Sequence, residues 1–372
     1  MIQELLKYFN PLDYLGVWLA ITFVIAFIVS LSSFPAIFKV AIAKRLMDEP
    51  GDRSVHDKMT PTLGGVGIYL SLMVVITTVG ALLDTKILLL VLGSLTLLFF
   101  LGLKDDLLIL SPKKKFLGQI LAASLLIIFT DTRILGLSGI FGITIIPYWL
   151  SVAFTLFVYV LVINAYNLID GVDGLAGCLA AAGSAAFAFL FVKTNDITMS
   201  TLTVATIGAL IPFLRLNFSK RKKIFMGDTG SMIVGFLIAF CAVRFLSKTQ
   251  MNSSSEFYDS APILVLAIVF FPLLDTLRIF LIRLIILRKS PFSADQNHIH
   301  HGFLKLGFSH AQTTIFIVVL NLLLIAFIYQ IRDFDILFQV ILLVIVGTFL
   351  YASLFIYNWL TSKKWLPKSL KD

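Results

Sequence analysis

The sequence predicts an all-α polytopic membrane protein, one integral-membrane domain over residues 1–372 with about eleven transmembrane helices. Three observations predict it. Of the 372 residues 59% are hydrophobic and the mean hydropathy is +0.97, more apolar surface than a soluble domain of this length can hide. Apolar runs of about 20 residues, the length that crosses a bilayer, recur along the whole chain. Lys and Arg concentrate in every second connection between those runs.

In order, the runs fall at about 15–37, 64–83, 87–103, 116–130, 147–165, 175–192, 198–214, 230–246, 261–284, 313–331 and 336–360. Met1–Asp13 has no basic lead into the first run, so no cleavable signal is expected. One set of connections carries Lys39, Lys44, Arg45, Lys104, Lys113–Lys115, Lys220–Lys223, Arg288 and Lys363–Lys364; the other carries only Lys7, Lys86, Arg133, Lys193, Lys248 and Arg332. The positive-inside rule makes the first set cytoplasmic, with the N-terminus outside and the C-terminus cytoplasmic. The net charge of +9 is therefore this bias and not a nucleic-acid surface, for no aromatic stacking pattern accompanies it. Cys178 and Cys241 sit in apolar runs and read as small buried residues. Outside, Asp131–Pro147 carries Gly136, Gly139 and Gly142 and suits a small hairpin, whereas Gln250–Ser260 is plainly polar.

The inside connections hold the chemistry. Asn164-Ala-Tyr-Asn-Leu-Ile-Asp-Gly-Val-Asp-Gly174 joins two apolar runs. Its Asn164, Asn167, Asp170 and Asp173 recur every third position, a drift of about 60° per step on a helix, so a helical end would point them along one face. Asp105, Asp106 and Asp228 sit at the membrane edge of other runs, where carboxylates are costly unless a cation or water meets them. Oxygen donors of this kind suit Mg²⁺ together with substrate phosphates, and Asn167 offers an amide carbonyl. Gly227 and Gly230 flank Asp228 and are expected to leave helix-terminal N–H groups open to phosphate. Nearby Lys and Arg add charge for an anionic ligand. All five histidines lie inside: His56, His298, His300, His301 and His310. Zinc is disfavoured by the oxygen-rich donor set. Asp275 and Arg278, three apart in the ninth run, suit either an intrahelical ion pair or a reach toward the site. The residues point to a Mg²⁺-dependent site for phosphate chemistry at the cytoplasmic membrane surface, open to one soluble and one lipid substrate.

Pro61-Thr-Leu-Gly-Gly65, Asp105-Asp106, Asn164–Gly174, Phe225-Met-Gly-Asp-Thr-Gly-Ser231 and His298-Ile-His-His301 occur in that order. Together they resemble the polyprenyl-phosphate N-acetylhexosamine-1-phosphate transferase family (glycosyltransferase family 4) across nearly the whole chain. The resemblance implies transfer of a sugar phosphate from a UDP-N-acetylhexosamine to undecaprenyl phosphate in the bacterial cytoplasmic (inner) membrane, with Mg²⁺ or Mn²⁺ as cofactor and a homodimeric state. It implies that Asp228 and Asn167 hold the metal and that Asp105, Asp106, His298, His300 and His301 are catalytic. Lys58, Asn164, Asp170, Asp173, Asn217 and Arg283 are assigned to substrate binding. The His-x-His-His loop resembles the WecA/TagO-type branch, not the MraY branch with its three consecutive histidines, which implies UDP-GlcNAc or a close relative as donor. An ion-coupled transporter is the competing class. Against it stand the lack of an inverted repeat and of charges central to most runs.

Overall fold

The computed structural model describes residues 11–362 apart from 12, 45, 49–59, 109, 287 and 289–297. Lys58, His56 and the 291–297 part of the histidine loop lie outside the described residues. Helices dominate: α1 (Leu15–Ala43), α2 (Gly64–Thr78), α3 (Thr85–Leu108), α4 (Pro112–Thr130), α5 (Tyr148–Ile169), α6 (Leu175–Lys193), α7 (Ile197–Asn217), α8 (Gly227–Gln250), α9 (Ala261–Ile268), α10 (Phe270–Leu281), α11 (Ile299–Lys305), α12 (His310–Gln330) and α13 (Ile336–Ser362). Strands among the described residues are two-residue pieces, β1 (Met47–Asp48) and β2 (Thr60–Pro61), paired antiparallel.

Every expected apolar run is helical, but not every one is a straight span. Among the described residues nine helices are long and apolar enough to cross a membrane, and counting the bent pair α9–α10 gives ten. Two of the eleven expected runs depart from a straight apolar span. The fourth run becomes α4, whose first turn carries Lys113–Lys115. The ninth run breaks by 73° between Ile268 and Phe270. Pro272 causes the break, because it has no N–H for the carbonyl of Ile268 four residues back. Asn321 Nδ2 on α12 meets that carbonyl instead, at 3.2 Å.

The buried axis is α8, which packs against α2, α3, α5 and α6 and is buried along nearly its whole length. In lipid, helix association relies on close packing and interhelical hydrogen bonds. Ser30 donates to Ala209 O at 2.7 Å, Ser71 to Ala26 O at 2.7 Å and Ser94 to Ala122 O at 2.8 Å. The outer helices turn Ile21, Val24, Ile28, Phe157, Ile315 and Ile345 outward, the apolar coat a bilayer requires. At the sparse-charge end, Leu135 O accepts from Ile146 N at 2.9 Å, folding Leu135–Ile146 back as the expected hairpin, and the Gln250 side chain clamps it through Leu135 N and Gly136 O.

Candidate active site

At the opposite end the termini of α3, α4, α5 and α8 bring their polar residues together. Pro61-Thr-Leu-Gly-Gly65 lies against the entry to α8: Phe225 N donates to Pro61 O, and Gly64 N and Gly65 N donate to Phe225 O and Met226 O, all at 2.8–2.9 Å. A Cβ on Gly65 would stand 2.2 Å from Gly230 N, so the two glycines are what lets α2 cross α8 here. Gly227, at φ +71°, turns the chain into α8.

Asp106 caps α8 from another helix. Its Oδ1 accepts from Asp228 N at 2.7 Å, and its Oδ2 accepts from Thr229 N at 3.1 Å and Thr229 Oγ1 at 2.6 Å. These are amides that a helix N-terminus leaves without intrahelical partners. The expectation that Gly227 and Gly230 hold such amides open for phosphate is thus corrected: Asp106 occupies two of them, and Gly230 makes room for α2.

Asp105 and Asp228 share one cation. Lys115 on α4 forms an ion pair with Asp105 Oδ2 and donates to Asp228 Oδ2 at 2.8 Å. Asp105 Oδ1 accepts from Leu110 N at 2.6 Å. Asn167 Nδ2 donates to Asp228 Oδ1 at 2.5 Å and to Ser231 Oγ at 2.9 Å. Asn167 therefore meets Asp228 with its amide nitrogen, which orients that carboxylate; the expected carbonyl ligand is not what faces it. Asn164 Nδ2 donates to Gln119 Oε1 and to Val160 O, both at 2.7 Å.

Helix α5 ends at Ile169, so the four polar residues expected on one helical face divide. Asn164 and Asn167 stay on the helix, while Asp170 and Asp173 lie in the turn beyond it. Burial holds the Asp170 carboxyl well above the usual carboxylate range, and the charges of Asp228, Asp106 and Asp173 push the same way. A site that crowds carboxylates so, and already places an ammonium between two of them, fits a hard cation with oxygen ligands such as Mg²⁺.

Asp173 pairs with Lys223 Nζ at 2.7 Å and lies 3.4 Å from His310 Nδ1. Thr314 Oγ1 donates to its carbonyl. Asn217, expected at the substrate, is buried and serves the loop: it accepts from Gly174 N at 2.5 Å and donates to Ile224 O at 2.7 Å. Arg283 is buried in a π-helical turn, Ile282–Ile286.

The histidines come in from the side of α10. His298 and His300 are buried, and each directs Nδ1 at Asp275 Oδ2. Their ring centroids are 5.1 Å apart, and His301 lies 4.5 Å from His300. Burial comes first, and the neighbouring His300 and His298 rings act in the same direction, holding His301 down at about 4, so it is neutral at pH 7. A Cβ on Gly171 would lie 3.4 Å from His300 Nε2 and 3.6 Å from His301 Nε2. The histidine loop thus rests directly on the Asp170–Gly171 turn. Asp275, His298 and His300 also have the ligand types for a metal, their donor atoms within 4.8 Å of one another.

Residues 88–246, from α3 through α8, match the family model described as glycosyl transferase family 4. Over 321 residues, 84% of each chain, the protein is 33% identical to a probable undecaprenyl-phosphate N-acetylglucosaminyl 1-phosphate transferase of Bacillus subtilis (strain 168). The chain belongs to glycosyl transferase family 4. It is also 31% identical over 294 residues to the undecaprenyl-phosphate alpha-N-acetylglucosaminyl 1-phosphate transferase of Escherichia coli (strain K12), covering 77% of this chain and 76% of the other. With the decaprenyl-phosphate N-acetylglucosaminephosphotransferase of Mycobacterium leprae (strain TN) it shares 31% identity over 290 residues, 72% of each chain.

In this family 4 chain the matched stretch contains Asp105, Asp106, Lys115, Asn167, Asp170 and Asp228, while the histidines lie beyond it. The sequence offers the nearby Lys and Arg as charge for an anionic ligand or as positive-inside bias, and does not single out Lys115 or Lys223. Sequence reasoning also missed Gln119 and Ser231, uncharged residues in or beside apolar runs. Lys113–Lys115 follow the aspartate pair closely, and that proximity was the available signal.

Proposed function

We propose that this chain transfers N-acetylhexosamine 1-phosphate, with GlcNAc 1-phosphate as first choice, from a UDP-sugar to undecaprenyl phosphate. UMP is released, Mg²⁺ is the cofactor (with Mn²⁺ able to replace it), and the site faces the cytoplasm from the bacterial inner membrane. The observation that carries this is the junction of Asp105, Lys115 and Asp228 with the Asp170–Gly171 turn beneath His300. It places acids, a cation and imidazoles at one membrane-edge site where a nucleotide and a lipid phosphate can meet. The acceptor and the transferred group follow from the names of the relatives.

An oxygen of the lipid phosphate attacks the phosphorus that carries the sugar. The bond from that phosphorus to UMP breaks, and UMP leaves with the electron pair. A phosphate monoester with a second pKa near 6 is largely dianionic at pH 7, so attack needs no strong base. One diphosphate linkage replaces another, and no net proton is released. Asp228, with Asp105 and Asp170 beside it, would hold Mg²⁺, which supplies charge neutralisation for the diphosphate. Asn167 and Asp106 orient Asp228 and the first turn of α8. Lys115 is placed to exchange a carboxylate partner for a phosphate oxygen. Positioning and electrostatics supply most of the acceleration in phosphoryl transfer, and these fixed contacts provide both. The homodimer implied by the resemblance belongs to the same proposal.

The histidine loop presses on the turn where the sugar end of the donor would lie. A site built around paired polar groups rejects analogues that lack them. The donor is therefore UDP-GlcNAc or a close N-acetylhexosamine relative, and not UDP-MurNAc-pentapeptide. Purified protein in detergent, given undecaprenyl phosphate, Mg²⁺ and a panel of UDP-sugars, tests this through UMP release. Activity without a sealed membrane separates a transferase from a transporter, and efficient use of UDP-MurNAc-pentapeptide would overturn the donor assignment.

A further inference from the structure

Asp275 lies on α10 with no exposed surface, and an ionised carboxylate there is stable only if donors surround it. Three do. Oδ1 accepts from Ile299 N at 2.5 Å, and Oδ2 lies 3.0 Å from His298 Nδ1 and 2.8 Å from His300 Nδ1. A carboxylate offers only acceptors, so each imidazole contact requires its proton on Nδ1, which in the neutral ring leaves Nε2 bare. His300 and His298 are 1% and 6% exposed, so neither ring has room to turn over freely. The Nε2 of His300 then meets the space above Gly171, 3.4 Å from where a Cβ would stand.

We propose that Asp275 is a positioning residue: by accepting from Nδ1 of both His298 and His300, it fixes their tautomer and aims the Nε2 of His300 at the substrate space above Gly171. This rests on the transferase assignment only for what fills that space. The Oδ1 bond to Ile299 N ties the same carboxylate to the first turn of α11, so loop placement and ring tautomer are set by one side chain. A carboxylate–imidazole pair of this kind raises the basicity of the ring and fixes its orientation.

The test has a spectroscopic arm and a kinetic arm. In ¹⁵N-histidine-labelled protein at pH 8, signals assigned with His298→Gln and His300→Gln should show a proton-bearing Nδ1 and a bare Nε2. Asp275→Asn, whose amide can donate, should reverse that signature in at least one ring. Nε2-protonated rings in the native protein, or an unchanged signature in the variant, would overturn the proposal. This arm needs no substrate, so it decides the role of Asp275 even if no UDP-sugar is turned over. In the kinetic arm Asp275→Asn should lower kcat about 10- to 100-fold, the range found when the carboxylate that orients a metal-bound histidine is removed, with KM for the UDP-sugar changed less. In a His298→Ala/His300→Ala background the same change should have no further effect. Equal losses in both backgrounds would show a merely structural role and overturn the proposal. If Asp275→Asn does not fold, Asp275→Glu keeps an acceptor and should keep the native tautomers. Zinc or another transition metal copurifying at about one per chain and lost on Asp275→Asn would make these residues a metal site and refute it.

Discussion

Gly65→Ala probes the crossing that holds the candidate site together. The added Cβ would lie 2.2 Å from Gly230 N, 2.6 Å from Gly230 Cα and 2.8 Å from Thr229 C. Comfortable non-bonded carbon contacts are about 3.5–4.0 Å, so α2 and α8 must part by about 1 Å. All three atoms are backbone, and no rotamer change relieves the clash. Overpacking typically costs about 1–3 kcal/mol, and two backbones in conflict belong at the upper end. The same movement displaces the first turn of α8, with Asp228 and its bonds to Asp106 and Asn167. A misplacement of about 1 Å at a reacting site can cost about 100-fold. The variant should therefore melt below the wild type and lose about 100-fold in turnover. The control is Gly16→Ala on α1, where nothing lies within 4 Å of the added Cβ and Ala is favoured over Gly in a helix by about 1 kcal/mol. Thermal stability by fluorescence-detected size exclusion and UMP release measure both. Wild-type melting and turnover in Gly65→Ala would refute the reasoning.

Lys115→Met should leave Asp105 and Asp228 facing each other unneutralised, abolishing most UMP release in protein that still folds; Asp228→Asn should also lose most activity and its response to Mg²⁺ concentration. Near-normal turnover in either variant counts against the site. Cysteines at Ser219 and Ser362 should label only from the cytoplasm and one at Ser254 only from outside, whereas labelling of Ser254 and Ser362 from one side breaks the threading. His301 is held down at about 4, against an ordinary value near 6.5. Above about pH 6.5 it is neutral folded and unfolded and adds no pH dependence. As pH falls from there toward 4, the unfolded chain takes up a proton that the folded loop refuses, so stability falls. Wild type should lose more thermal stability than His301→Gln between pH 7 and pH 5, and parallel curves would remove this role for His301.

The helices were legible because hydropathy is a local property: each run of apolar residues became a helix at nearly its expected bounds. The 73° break was not, although Pro272 stood in the run. Whether a proline kinks or ends a helix depends on what satisfies the freed carbonyl, here Asn321 from 53 positions away. The acids and histidines were legible as residue types at one membrane edge, but their partners were not. Lys115 meets Asp228 across 113 positions and Asp106 meets the α8 amides across 122, distances over which spacing carries no information. Asp275 was visible as a carboxylate inside an apolar run, a costly placement that demands a partner. Only the packing of α11 against α10 names that partner as the histidine pair. Asn217 shows the reverse case: a polar residue beside a basic run reads as a ligand contact until both ends of its amide are found bonded to backbone.

The most direct measurement follows the phosphorus. UDP-GlcNAc carrying ³²P in the phosphate next to the sugar is incubated with purified protein, undecaprenyl phosphate and Mg²⁺, and the lipid and nucleotide products are separated. Transfer of N-acetylhexosamine 1-phosphate moves the label into the lipid together with the sugar and leaves unlabelled UMP. Label retained in a nucleotide diphosphate while the sugar moves, or no label in lipid at all, would contradict phosphosugar transfer at the Asp105–Lys115–Asp228 site.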